Sequence, residues 1–244
     1  MGLDQNFVPS AEYQFSDGYI RFKKEFDDLI RPVTQPKILK HISQIEEICK
    51  TFYDLMEGTH KGSQIDLESM MIAAVGHDIL CIKSREDHPQ LSWEWTYDLL
   101  QDVNYNDNFR LDTIKDCILH HSILDEWSDG KPNTTTGDVF LDAHLVSRFI
   151  HPQKLREYFP RLESGDDYEE IIPEIIDSQK LESYLNQLAF AYIPDKAIVE
   201  ARLFVDKWYD GLGNTHVGQV IKESTKKYVT TILEGVIEDI TDSF

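Results

Sequence analysis

The residues best suited to chemistry in this chain are histidines and aspartates, and they fall in a suggestive order. Of nine histidines, six lie between positions 41 and 121. His41 falls in an amphipathic segment, His77-Asp78 follows an apolar run, His88 precedes Pro89, and His120-His121 end another amphipathic segment before Asp142. Neutral imidazole and carboxylate together ligate Fe, Mn, Zn, Co or Ni. The run before His77-Asp78, MMIAAVG, predicts a buried helix. An ionised aspartate at the inner end of such a helix is costly unless it is paired or metal-bound. Adjacent helical residues diverge by about 100°, so both reach one ion only if it sits in the wedge between them. The other ligands must then come from other helices.

The elements that would carry these residues are helical. Residues 36–57 place Ile38, His41, Ile42, Ile45, Ile48, Cys49, Phe52 and Leu55 near one face, with Gly58 closing the helix. Residues 65–80 predict a buried helix with Asp66 as N-cap. Further helices are expected at 92–103, 107–122, 138–150, 171–192, 195–210 and 216–241. A loop is expected around Lys83–Pro89 and across DEWSDGKPNTTTGD, and 160–170 is polar and acidic. Strand signals are scarce. The expected fold is all-α: a helical bundle at 25–150 carrying the candidate site, with a helical C-terminal extension at 151–244 packed on it.

The order His … His-Asp … His … His-His … Asp resembles the HD-domain superfamily of metal-dependent phosphohydrolases. His41 matches the first motif histidine and His77-Asp78, within IAAVGHDI, the signature doublet. His88-Pro89 with LSWEW behind it is similar to the family's histidine at a helix start. His120-His121 match the paired histidines and Asp142 the closing aspartate. The resemblance covers residues 36–150. It implies an HD-like bundle with one metal on His41, His77, Asp78 and Asp142. Dinuclear members add histidines matching His88, His120 and His121, with the doublet aspartate, Asp78, as bridge. The implied cofactor is one or two divalent ions (Mn, Fe, Co, Ni, Zn or Mg). The implied activity is hydrolysis of a phosphomonoester or phosphodiester, on a nucleotide or another small phosphorylated metabolite. A bound ion lowers the pKa of its water from 15.7 toward ~7, and Asp78 is the expected catalytic residue, positioning the hydroxide so formed.

Something cationic should complete phosphate binding. Lys83, Arg85, Lys131 and Arg148 stand near the motifs, Arg148 roughly two turns beyond Asp142. Trp93, Trp95 and Trp127 could stack a nucleobase, although helical spacing favours core packing for the first two. The formal charge of -20, with 44 acidic and 24 basic residues, disfavours nucleic-acid backbones and anionic membranes as partners. An anionic substrate therefore needs a metal or a local basic cluster. Three widely spaced cysteines without CxxC, and no basic-apolar leader or long apolar run, fit a reduced, cytoplasmic setting without membrane spans. Homo-oligomerisation is left open. Two other readings compete: a di-iron HD-fold oxygenase, and a non-catalytic helical regulatory or binding protein. No GxSxG, GxxxxGK[ST] or GxGxxG occurs.

Overall fold

The computed structural model describes residues 13–57, 64–81, 84, 87–121, 131–165, 168–190 and 194–242. Among these it contains eleven α-helices and no strand. Helix α1, Asp17–Glu25, starts on Ser16, whose Oγ accepts from the Tyr19 N–H. A wider turn at Phe26–Ile30 and a tighter one at Arg31–Val33 lead to α2, Pro36–Met56. Pro36 opens α2 because a first-turn position lacks an intrahelical N–H partner anyway. The 3.6-residue spacing buries Ile38, Ile42, Ile45, Ile48, Cys49 and Phe52, which leaves His41 inside the apolar stripe rather than on the solvent face.

Helix α3, Leu67–Gly76, has no polar face: all ten of its residues are buried, and Asp66 caps it by accepting from Ser69 N–H. Neighbours α2, α5 and α6 wrap it, and α4 packs so closely that a Cβ on Gly76 would stand 2.1 Å from Thr96 Oγ1. Helix α4 is His88–Asp102, α5 is Asn108–Leu119 and α6 is Thr135–Val146. Caps at Asp107 and Thr134 accept from Arg110 and Gly137 N–H and set the starts of α5 and α6. The predicted loop before α4 is shorter than expected, because Pro89 occupies the first turn and lets His88 begin the helix.

The C-terminal part comprises α7, Pro152–Ser164; α8, Tyr168–Ile175; α9, Ser178–Phe190; α10, Pro194–Gly211; and α11, His216–Asp242. Helix α7 overrides the polar reading of 160–170 by burying Leu155, Phe159 and Leu162 on a narrow stripe, and it closes on Gly165 at φ 82°. The single helix expected over 171–192 is two. At the break, Asp177 N–H donates to Phe149 O (2.7 Å) and His151 N–H to Ile175 O (3.0 Å). Asp177 then restarts the chain as a cap, accepting from Lys180 N–H. Trp208 Nε1 donates to Leu145 O at 3.0 Å, tying α10 to α6. No helix among the described residues is long and apolar enough to cross a membrane.

Candidate metal centre

The ends of α3, α5 and α6, the start of α4 and the first half of α2 meet at Asp78. The doublet lies just past α3: His77 caps the helix and is fully buried, and Asp78 opens the turn that follows. Asp78 divides its oxygens. Its Oδ2 lies 3.3 Å from His41 Nε2 and 3.6 Å from His77 Nε2. Its Oδ1 lies 3.2 Å from His88 Nε2 and 3.3 Å from His121 Nε2. Within each group the imidazoles face each other as well, His41 and His77 at 3.1 Å and His88 and His121 at 3.1 Å between Nε2 atoms.

Those separations suit a shared ion. Donors held at ~2.1 Å from one cation stand about 3.0–3.4 Å apart in octahedral or tetrahedral arrangement. The donor atoms of His41, His77, Asp78 and His144 all lie within 4.8 Å of one another, as do those of Asp78, His88 and His121.

The tautomers agree. His77 Nδ1 lies 3.1 Å from Ala74 O and His121 Nδ1 2.7 Å from Ile118 O. Only N–H can pair with a carbonyl, so each Nδ1 carries the proton and each Nε2 aims a lone pair at the cluster. Each facing pair of nitrogens then needs a proton or a cation between them. His144, fully enclosed by the rings of His41, His77 and His121 at 5.0–5.6 Å, has an Nδ1 that is buried without a hydrogen-bond partner. The donor set fits one or two divalent ions, with Asp78 able to bridge them.

Charge follows burial. Desolvation holds His77 down to about 3, with His121 and His41 adding to the effect and Asp78 and the Ala74 carbonyl opposing it. His144 is also held well below the usual imidazole range, first by burial and then by neighbouring rings and Arg148. Both rings are therefore neutral at pH 7, the state a metal ligand requires. Burial raises Asp78, but the surrounding imidazoles of His77, His121, His41 and His88 outweigh it and hold the carboxyl well below the usual carboxylate range.

No family model, curated protein or solved structure matches the chain.

Of the seven expected ligands, five converge: His41, His77, Asp78, His88 and His121. Asp142 does not. It accepts from the backbone N–H groups of Gly213, Asn214 and Thr215, from Asn214 Nδ2, and from Thr215 Oγ1, at 2.7–3.2 Å. The α6 residue that joins the cluster is His144, two positions on and about 200° around the helix. His120 does not join either; its Nδ1 lies 3.0 Å from a carboxylate oxygen of Asp116. Consecutive residues point apart, so only one of His120 and His121 could face the cluster.

A cavity of about 310 Å³ opens on the cluster, lined by His41, Asp78, Gln44, Arg148, Lys180 and Tyr184, with Ser147 and Phe149. Arg148 is thus part of the cavity wall. Lys131 is exposed and absent from this wall, and Lys83, Arg85, Trp127 and Gly58 lie outside the described residues. Trp93 and Trp95 pack against the edge of the core instead. His144 and Lys180 were missed. Helical spacing does place His144 one turn beyond Phe140, whose ring meets His77 at 5.9 Å, but Lys180 comes from the C-terminal part and carried no motif. The buried thiols of Cys49 and Cys117 are pushed up by desolvation, the reverse of an activated nucleophile.

Proposed function

We propose that this protein is a metal-dependent hydrolase of phosphate esters, in keeping with its HD-superfamily resemblance. One observation carries the reading: a single carboxylate, Asp78, gives one oxygen to each of two imidazole groups beside a cavity walled by Arg148 and Lys180. His41, His77, Asp78 and His144 would hold one ion; Asp78, His88 and His121 would hold a second. Divalent ions there would supply a low-pKa water and offset charge on phosphoryl oxygens.

The chain's own residues do the rest. Ala74 and Ile118 carbonyls lock His77 and His121 with Nε2 toward the centre. His77, held near 3, cannot donate a proton at neutral pH, so it is a ligand and not a general acid. Arg148 and Lys180 bring cationic donors to a wall of the cavity that opens on the cluster, in a protein whose net charge of -20 otherwise repels an anion.

The test is a panel of phosphomonoesters and phosphodiesters with Mn²⁺, Co²⁺, Ni²⁺, Zn²⁺, Fe²⁺ and Mg²⁺, run on wild type, His77→Ala and Asp78→Ala. Wild type should turn over at least one class and both variants should lose it; equal rates in all three overturn the reading. The nitrogen-rich donor set favours a second reading, a di-iron oxygenase, because five imidazoles and one carboxylate suit iron. Oxygen consumption by the iron-loaded, reduced protein, without phosphatase activity, would select it.

A further inference from the structure

The ligand set leaves more positive charge than a site rich in carboxylates would. Five imidazoles, each uncharged when it ligates a metal, and one carboxylate surround the two candidate ion positions. Two divalent ions against one carboxylate would leave three positive charges, and a single ion would leave one. Among the described residues nothing else anionic lines the cavity, whose remaining charged residues are Arg148 and Lys180.

Those two cations are built into place. Segment 149–151 and segment 175–177 are joined by paired backbone hydrogen bonds, Asp177 N–H to Phe149 O and His151 N–H to Ile175 O. Arg148 and Lys180 flank that junction, and Lys180 Nζ reaches Ser147 O at 3.5 Å. Arg148 leans on the Tyr184 ring, with its guanidinium 5.9 Å from the centroid and Nη1 3.4 Å from the hydroxyl. Its Nε is buried with no hydrogen-bond partner. Lys180 is pulled below the usual lysine range, first by desolvation and then by Lys40 and Arg148, with Asp177 opposing. An anion entering the cavity would offset the repulsion that Arg148 exerts on Lys180.

We propose that Arg148 and Lys180 form an anion subsite that selects a phosphomonoester dianion over a phosphodiester monoanion. The inference takes its chemistry from the hydrolase reading, but the selection is a property of binding alone. A terminal phosphate at pH 7 carries about -1.5 to -2 charge and three free oxygens. A diester carries one charge and two free oxygens, so it forfeits a charge-assisted contact that the subsite is built to make. The lining supports a small, hydroxylated organic group: Gln44, Ser147 and Tyr184 offer polar contacts, and the cavity of about 310 Å³ is at the small end for ligand sites. In the reaction, a P–O bond forms from water and the ester P–O bond breaks. Its electron pair leaves on the ester oxygen, which takes the proton water gives up.

The experiment is calorimetric binding of phenylphosphonate and of its monomethyl ester at pH 8 to the metal-loaded protein. Wild type, Lys180→Met and Lys180→Arg are compared. Lys180 is exposed, so both variants should keep the wild-type melting temperature. Wild type should bind the dianion at least about tenfold more tightly than the ester. Lys180→Met should lose most of that ratio while its affinity for the ester moves little, and Lys180→Arg should restore it. Equal affinity for the two ligands in wild type, or an equal loss of both in Lys180→Met, overturns the subsite. Parallel hydrolysis separates the readings. A selective dianion site with no turnover of any ester sinks the hydrolase and leaves the subsite standing. Turnover of diesters as fast as monoesters, with no binding preference, does the reverse.

Discussion

Two aspartates, Asp78 and Asp142, sit in the interior of this molecule for opposite reasons. Asp142 is fully buried and surrounded by donors: three backbone N–H groups, an amide and a hydroxyl point at it. Burial raises its pKa, and the contacts from Thr215 and Asn214 pull it back. Asp78 keeps a side chain 22% exposed and is ringed by imidazoles, two of which present lone pairs. The first arrangement is complete as it stands; the second has donors placed to take a cation. A buried carboxylate in a helical protein is therefore not by itself a ligand. What decides is whether its neighbours bring hydrogens or lone pairs.

Substituting each aspartate by alanine should separate the two roles most sharply. Asp78→Ala should release both ions and cut any ester hydrolysis by at least about a thousandfold, because the shared oxygen ligand is gone. Its fold should survive. Asp142→Ala should leave metal content per folded molecule unchanged but cost about 3–5 kcal/mol, since five donors lose their acceptor. Metal analysis and urea unfolding read the two effects, and a metal-depleted, stable Asp142→Ala protein would erase the contrast.

The next largest difference concerns the histidines. His144→Ala should weaken metal binding by about a hundredfold or more, whereas His120→Ala should leave it within about twofold, because His120 serves Asp116. Competition against a chromophoric chelator measures both.

Acid then probes the lone-pair side in the metal-free chain. An unfolded histidine takes its proton near 6.5, whereas folded His77 resists until about 3. Between those values the unfolded state binds more protons, so stability must fall as pH falls. From His77 alone the loss should be about 2 kcal/mol between pH 6.5 and 5. Unfolding midpoints that do not move over that interval would contradict the buried, neutral ring.

The helices were largely legible because their cause is local: Ile38, Ile42, Ile45 and Ile48 repeat at helical spacing, and Asp66 announces the start of α3. The break at Ile176 was not, although Asp177-Ser178 is a cap signal, because the backbone pairing with Phe149 that enforces it is long-range. The cluster residues carried by α2, α3, α4 and α5 could be read from their order. The choice between Asp142 and His144 could not. Both are buried on an α6 that is enclosed around most of its circumference, and what claims Asp142 is a loop some seventy residues downstream. Lys180 was invisible for a related reason, since only tertiary packing brings the C-terminal part to the cavity.

That downstream loop has a twin. Asn133-Thr134 relates to Asp116 as Asn214-Thr215 relates to Asp142. In each, the Asn amide and both N–H groups donate to the carboxylate, the Thr hydroxyl donates to it, and the same hydroxyl accepts from a glycine three residues on. The glycine is required by closeness: a Cβ on Gly137 would lie 2.4 Å from Asp116 Oδ2, and one on Gly218 2.1 Å from Asp142 Oδ2. The Asn-Thr-x-x-Gly pattern thus marks a helix start nailed to a carboxylate of an earlier helix, and it assigns Asp142 to structure. Asn133→Ala and Asn214→Ala each delete one of several donors and keep the backbone ones. Each should cost about 1 kcal/mol, with metal content unchanged. If Asn214→Ala instead lowered metal content while Asn133→Ala did not, Asp142 would belong to the metal centre after all, and the division between the two aspartates would fail.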